Sequence, residues 1–102
     1  MFEVYIIKPC PYCSHVVKEL VRLKIKNKVI IVKTLKEKEK LCKKHKMNTF
    51  PQVFYKIGNK KYQVGGCSQF VEFVELCKYI NATQFDIKTI AHLTNTLTKK
   101  IT

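Results

Sequence analysis

The chain has 102 residues, 46% of them hydrophobic, and a formal net charge of +13; that suffices for one domain with one core and leaves little room for a second. Its longest uninterrupted aliphatic run, residues 29–32, falls far short of the ~20 residues that span a bilayer, so no membrane role is expected. Five cysteines, at 10, 13, 42, 67 and 77, are an odd number without the regularity of a secreted disulfide scaffold. The opening Met-Phe-Glu is not a basic segment leading into a long apolar one, and a cytoplasmic protein is expected.

Residues 2–7 are mostly apolar on both alternating faces, the pattern of a strand covered on both sides. Cys10-Pro11-Tyr12-Cys13 follows, and then Val16, Val17, Leu20, Val21, Leu23 and Lys24 form a stripe at helical spacing. Pro11 suits the first turn of that helix, where its missing N–H costs nothing. Asn27 and Lys28 break the pattern, residues 29–32 read as a second strand, and Thr34 with Glu37 three residues on reads as a capping box opening a helix through about His45.

Met47-Asn48-Thr49-Phe50-Pro51 is the next break. Residues 52–57 and 60–64 flank Gly58-Asn59, a two-residue hairpin signal. Gly65-Gly66 punctuates, Ser68 is expected to cap a third helix, and Phe70, Phe73, Val74 and Cys77 recur at intervals of three or four. From Asn81, the residues Phe85, Ile87, Ile90, Leu93 and Leu97 suggest one more helix. The expected class is therefore α/β, a four-stranded mixed sheet in the order βαβαββα with an additional C-terminal helix. A single domain over residues 1–102 is expected, its core at about 2–79 and its helical extension at 80–102.

The C-x-x-C pair sits where the first strand hands over to the first helix. Two cysteines three apart can close a small disulfide ring. The opening turn of a helix offers unpaired backbone N–H groups and a positive dipole end, which favour a thiolate. Thiols in such settings titrate at roughly 3.5–7.5 rather than near the free value of ~8.5, so Cys10 is read as a nucleophile.

Strand, C-x-x-C helix, strand, helix, Thr-x-Pro, hairpin, Gly-Gly and helix: this arrangement resembles the glutaredoxin family, a dithiol branch of the thioredoxin fold. Three motifs carry the resemblance, Cys10-Pro11-Tyr12-Cys13, Thr49-Phe50-Pro51 and Gly65-Gly66-Cys67-Ser68, and it covers about residues 2–79. There is also a fainter likeness to the short glutaredoxin-like reductants of large DNA viruses. The resemblance implies a thioredoxin-like three-layer α/β/α fold and an enzyme that uses glutathione as co-substrate, with no metal. Such an enzyme would reduce disulfide-containing proteins and glutathione mixed disulfides, ribonucleotide reductase being a common family client.

Residue by residue, the resemblance implies that Cys10 attacks a disulfide, that Cys13 resolves the intermediate, and that the two form the redox-active disulfide. Pro51 would follow a cis bond, turning the Phe50 backbone towards the site to pair with an extended glutathione or peptide. Tyr12, Thr49 and Gly66 would line the groove, and the N–H groups of Cys67 and Ser68 would take the glutamyl carboxylate. Many relatives carry Asp where Ser68 stands, and that Asp also accepts from the glutathione amino group; Ser68 would do so only weakly, with Gln69 helping. Lys8 would contact the glycine carboxylate, although relatives often place this lysine three residues before the first cysteine and here only Pro9 intervenes. A further basic residue for that carboxylate is expected among Lys43, Lys44 and Lys46.

Twelve of the twenty basic residues lie between Lys18 and Lys46, against Glu19, Glu37 and Glu39, a local charge of +9. Only one of the twenty is Arg, the better residue for bidentate readout, and no aromatic interleaving accompanies the lysines, so specific nucleic-acid binding is not expected. Steering of acidic partners is the functional reading of this block, and a lysine-rich surface that keeps a monomer soluble is the plain one. Two other functions stay open. Cys10, Cys13, Cys42 and His45 have ligand spacing within each pair for a structural zinc, although 28 residues separate the pairs. A glutathione-ligated iron–sulfur carrier, which occurs among relatives of the fold, is the other.

Overall fold

The computed structural model describes residues 1–79, with side chains to Glu75; the helix expected from Asn81 and the side chain of Cys77 lie outside the described residues. The elements are β1 (Phe2–Ile6), α1 (Pro11–Arg22), β2 (Asn27–Ile31), α2 (Leu35–His45), β3 (Gln52–Ile57), β4 (Lys60–Gly65) and α3 (Cys67–Tyr79). The sheet order is β2-β1-β3-β4, with β1 parallel to β2 and antiparallel to β3, and β3 antiparallel to β4. Among the described residues, no helix is long and apolar enough to cross a membrane.

All five residues of β1 are buried, as its apolar run requires, because it is an inner strand with helices on both faces. Alternation along the strand sends Phe2 to one face, where its ring lies 5.5 Å from Phe70 and 5.7 Å from Phe73 of α3. It sends Tyr5 to the other face, 5.1 Å from His45 of α2. Three layers result, with α1 and α3 opposite α2. Phe2, Phe70 and Phe73 are fully buried, and removing such a side chain from water contributes about 1.5–3 kcal/mol.

The stripe on α1 is narrower than expected. Cys13, Val16 and Leu20 are buried, but Val21 is 68% exposed, since each helical step turns the side chain by about 100° and only one flank of Leu20 meets the sheet. Lys24 lies beyond the Leu23 C-cap with φ 55, outside the helix. Strand β2 begins two residues earlier than its apolar run and is only partly buried, because it forms an edge of the sheet. Val32 follows it, its N–H donating to Ile6 O at 2.8 Å.

Helix α2 starts as the sequence indicates, with Thr34 Oγ1 accepting the Glu37 N–H at 3.1 Å. Glu37 Oε2 accepts from Lys33 N at 3.3 Å, one residue beyond the Thr34 N–H of the usual reciprocal bond. The helix has no fully buried side chain; Lys38, Leu41, Cys42 and His45 are half-buried at helical spacing and form its inward stripe. Beneath it a polar network occupies the sheet. Gln52 is 0% exposed, its Nε2 donating to Met47 O at 3.3 Å and towards Cys42 Sγ at 3.8 Å. Its Oε1 lies 2.8 Å from His45 Nδ1, which assigns the ring proton to Nδ1. Tyr5 donates to Glu3 Oε1 at 2.8 Å and accepts from Lys61 Nζ at 2.8 Å. The Glu3 hydrogen bond, burial above all, pushes the Tyr5 hydroxyl up to about 12.

The hairpin turns at Gly58-Asn59 as expected, with Gly58 at φ 57, a backbone region where a side chain costs energy.

Candidate active site

Cys10 is the N-cap of α1. Its backbone is extended, φ −155 and ψ 106, and its Sγ accepts the Cys13 N–H at 3.2 Å while its carbonyl accepts the Ser14 N–H at 3.0 Å. A sulfur thus does what a cap oxygen ordinarily does. Pro11 occupies the first helical position and no acidic side chain lies in the first turn, so nothing there offsets the positive end of the dipole. In its thiol form Cys10 donates to Phe50 O, 3.8 Å away.

Cys13, one turn in, is 1% exposed. Burial pushes its thiol up to about 12, with the adjacent Cys10 adding to the effect and the Ile7 backbone opposing it. At neutral pH Cys13 therefore keeps its proton. Burial, and then the charge of Cys10, also raises the Cys67 thiol, which puts a third cysteine within electrostatic reach of the pair.

The Phe50–Pro51 bond is cis, and so is Lys8–Pro9, which the sequence reading did not include. Phe50 and Pro51 are buried while Thr49 is exposed. With Tyr12, Gly66, Cys67, Ser68 and Gln69 they line one open hollow of about 320 Å³, within the usual size of small-ligand clefts. The expected binding residues Tyr12, Thr49, Phe50, Pro51, Gly66, Cys67 and Ser68 meet there, while Lys8 and the candidates Lys43, Lys44 and Lys46 do not line it. Lys8 lines a separate hollow with Pro9, Cys10, Pro11 and Ser14.

The cap of α3 is a correction. Helix α3 begins at Cys67, so Ser68 stands inside its first turn, and Gly66 takes the cap position, its carbonyl accepting the Phe70 N–H at 3.0 Å. Gln69 reaches back to accept the Gly66 N–H at 2.9 Å, the second half of a capping box. A Cβ on Gly65, whose φ is +126, would lie 2.8 Å from Gln69 Cβ, so the close approach of loop and helix depends on glycine. The N–H groups of Cys67 and Ser68, in the first turn, have no partner within the helix.

One residue beside the site was not singled out from sequence: Lys38, whose Nζ lies 6.0 Å from the Phe50 ring centroid and which shares the inward stripe of α2 with Leu41, Cys42 and His45, whereas Lys43, Lys44 and Lys46 are exposed. Cys42 and His45 meet Gln52 rather than the C-x-x-C pair. Among the described residues, no three or more His, Cys, Asp or Glu side chains are grouped so as to hold a metal ion, so the four zinc ligands suggested by spacing are not assembled.

The glutaredoxin family model matches residues 2–60. The chain belongs to the glutaredoxin family. Among solved structures it is similar to the solution structure of glutaredoxin from Brucella melitensis, at 25% identity and a TM-score of 0.54, covering 79% of this chain and 85% of that one. It is also similar in fold to the crystal structure of the holo form of glutaredoxin C1 from Populus tremula x tremuloides, at 23% identity and a TM-score of 0.58, covering 95% and 78%. No curated protein matches its sequence. Membership in the glutaredoxin family and the thioredoxin-like fold give the chain a thiol–disulfide oxidoreductase kind of function.

Proposed function

We propose that the chain is a glutathione-dependent reductase of protein disulfides and glutathione mixed disulfides. The observation that carries this reading is the pairing of Cys10 Sγ at the α1 cap, 3.2 Å from the Cys13 N–H, with a buried Cys13 that holds its proton. One thiol is placed to attack and the other to wait. The Cys10 thiolate attacks one sulfur of the substrate disulfide, the other sulfur leaves and takes a proton, and Cys10 is left in a mixed disulfide. On a protein substrate Cys13 then loses its proton and attacks Cys10 Sγ, the bond from Cys10 to the substrate sulfur breaks, and the second substrate thiol leaves and takes a proton. The Cys10–Cys13 disulfide that results is reduced by two glutathiones, which leave as glutathione disulfide. On a glutathione mixed disulfide a second glutathione attacks directly, and Cys13 is not needed.

Glutathione would lie in the hollow bounded by Tyr12, Thr49, Phe50, Pro51 and Gly66. Its backbone would pair with Phe50, and its glutamyl carboxylate would meet the Cys67 and Ser68 N–H groups at the positive end of α3. Lys8 and Lys38 would attract the remaining carboxylate. The reading extends to a cytoplasmic monomer of one domain whose lysine-rich α2 attracts acidic disulfide-bearing proteins, a ribonucleotide reductase among the candidates. The deciding assay is reduction of a small glutathione mixed disulfide coupled to glutathione and its reductase, run beside thioredoxin reductase. Turnover with glutathione is expected; turnover only with thioredoxin reductase contradicts it. Elemental analysis of protein purified without chelator separates the alternatives, since about one zinc per chain, or iron with sulfide, overturns the reading in favour of a metal module.

A further inference from the structure

Three hollows adjoin the C-x-x-C, and their lining carries positive charge without any negative charge. The first, with Tyr12, Thr49, Gly66 and Gln69, is neutral. The second contains Lys8 beside Cys10. The third contains Lys8 and Lys18 beside Cys13. Lys38 adds an ammonium 6.0 Å from the Phe50 ring. Three acids are engaged elsewhere: Glu3 with Tyr5 and Lys61, Glu19 with Arg22, and Glu37 at the start of α2. Among the described residues, no carboxylate lines any of the three hollows.

A glutamyl group presents two opposite charges on one carbon, an ammonium and a carboxylate. At the start of α3 the carboxylate would find the Cys67 and Ser68 N–H groups. For the ammonium, the polar side chains at that end of the cleft are Ser68 and Gln69, both uncharged, and Gln69 Oε1 already accepts the Gly66 N–H at 2.9 Å. Taking the cleft as the glutathione subsite, as proposed above, we infer that it recognises its thiol partner by carboxylates alone and not by the ammonium. The substrate class is then the disulfides of carboxylate-bearing thiols, with or without a free amine. In each case the Cys10 thiolate forms a bond to the sulfur of the anionic partner, the disulfide bond breaks, and the other thiol leaves as a thiolate that takes a proton. A second molecule of the anionic thiol, deprotonated, then attacks the partner's sulfur, frees Cys10 as a thiolate and leaves as the symmetrical disulfide.

The test is single-turnover reaction of the reduced protein with three mixed disulfides of 2-mercaptoethanol, made with glutathione, N-acetylglutathione and a glutathione dialkyl ester. N-acetylation is expected to change the second-order rate by less than twofold. Esterification is expected to lower it at least about tenfold, the scale of losing hydrogen bonds to a charged group. Gln69→Glu keeps an acceptor for the Gly66 N–H and adds the missing charge, so it should raise the preference for glutathione over N-acetylglutathione about threefold, the scale of one exposed ion pair. A loss of fivefold or more on N-acetylation of the substrate of the unsubstituted protein overturns the inference while leaving the glutathione subsite standing. Equal rates for all three disulfides overturn the subsite and the inference together.

Discussion

Two helices of this chain open in the same way and serve different ends. At α2 the Thr34 hydroxyl accepts the Glu37 N–H at 3.1 Å, and the Glu37 carboxylate adds negative charge to that first turn. At α1 the Cys10 sulfur accepts the Cys13 N–H at 3.2 Å, with no acid in the first turn. The first arrangement neutralises the positive end of the helix and the second leaves it available to a thiolate. Capping geometry is therefore not what makes a site; the chemistry of the capping atom and the charge left around it are.

The strongest way to break this contrast is to give α1 an oxygen cap. Cys10→Ser keeps an acceptor for the Cys13 N–H but removes the nucleophile, and should lower disulfide reduction at least about a thousandfold, the scale of deleting a catalytic nucleophile, with the far-ultraviolet dichroism unchanged. Next is Cys13→Ser, which should lose at least about a hundredfold on a protein disulfide while a glutathione mixed disulfide is still reduced. Activity of Cys10→Ser with an inert Cys13→Ser would reverse the roles.

Charge separates the two helices further. Reversing Lys36, Lys40 and Lys43, all exposed on α2, should slow reaction with an acidic protein disulfide about tenfold, and added salt should mimic it. Alkylation of Cys10 by a neutral reagent should not change. Equal effects on charged and neutral reactants would reject steering. Smallest is Thr34→Ala, expected to cost about 1 kcal/mol of stability, read from the urea midpoint, with turnover within about twofold.

The pH dependence sharpens the contrast from inside α1. The folded value of the Cys13 thiol stands near 12 against an ordinary 9.0, so the folded state holds this proton more tightly than the unfolded chain. The resulting stabilisation is complete below pH ~9 and is lost as pH rises from there towards 12. Tyr5, raised from 10.0 to about 12, acts with the same sign at higher pH. The urea midpoint of the reduced protein should fall above pH ~9, and Cys13→Ser should flatten the earliest part of that fall.

Order and type of the elements were legible because each carries its own local signal: an apolar run for β1, a C-x-x-C with Pro11 for α1, Thr34 with Glu37 for α2, and Gly58-Asn59 for the hairpin. What was not legible depends on neighbours distant in sequence. Edge position leaves β2 half-buried, though its residues match those of an inner strand. The fully buried Gln52 reads as a surface residue until Met47, His45 and Cys42 are placed around it. Ser68 has the side chain of a cap, yet Gly66 takes that position because Gln69 reaches back to its N–H. Most of the candidate site was readable as motifs; which α2 lysine adjoins it was set by the inward stripe of that helix.

The central claim, that Cys10 carries glutathione while Cys13 waits with its proton, is tested most directly by trapping the adduct. Cys13→Ser, reduced and then exposed to glutathione disulfide at pH 7, is digested under acid and its peptides are weighed. One glutathione per chain, on the peptide containing Cys10 and released by added glutathione, is the predicted result. An adduct confined to Cys42 or Cys67, or none at all, would contradict the account.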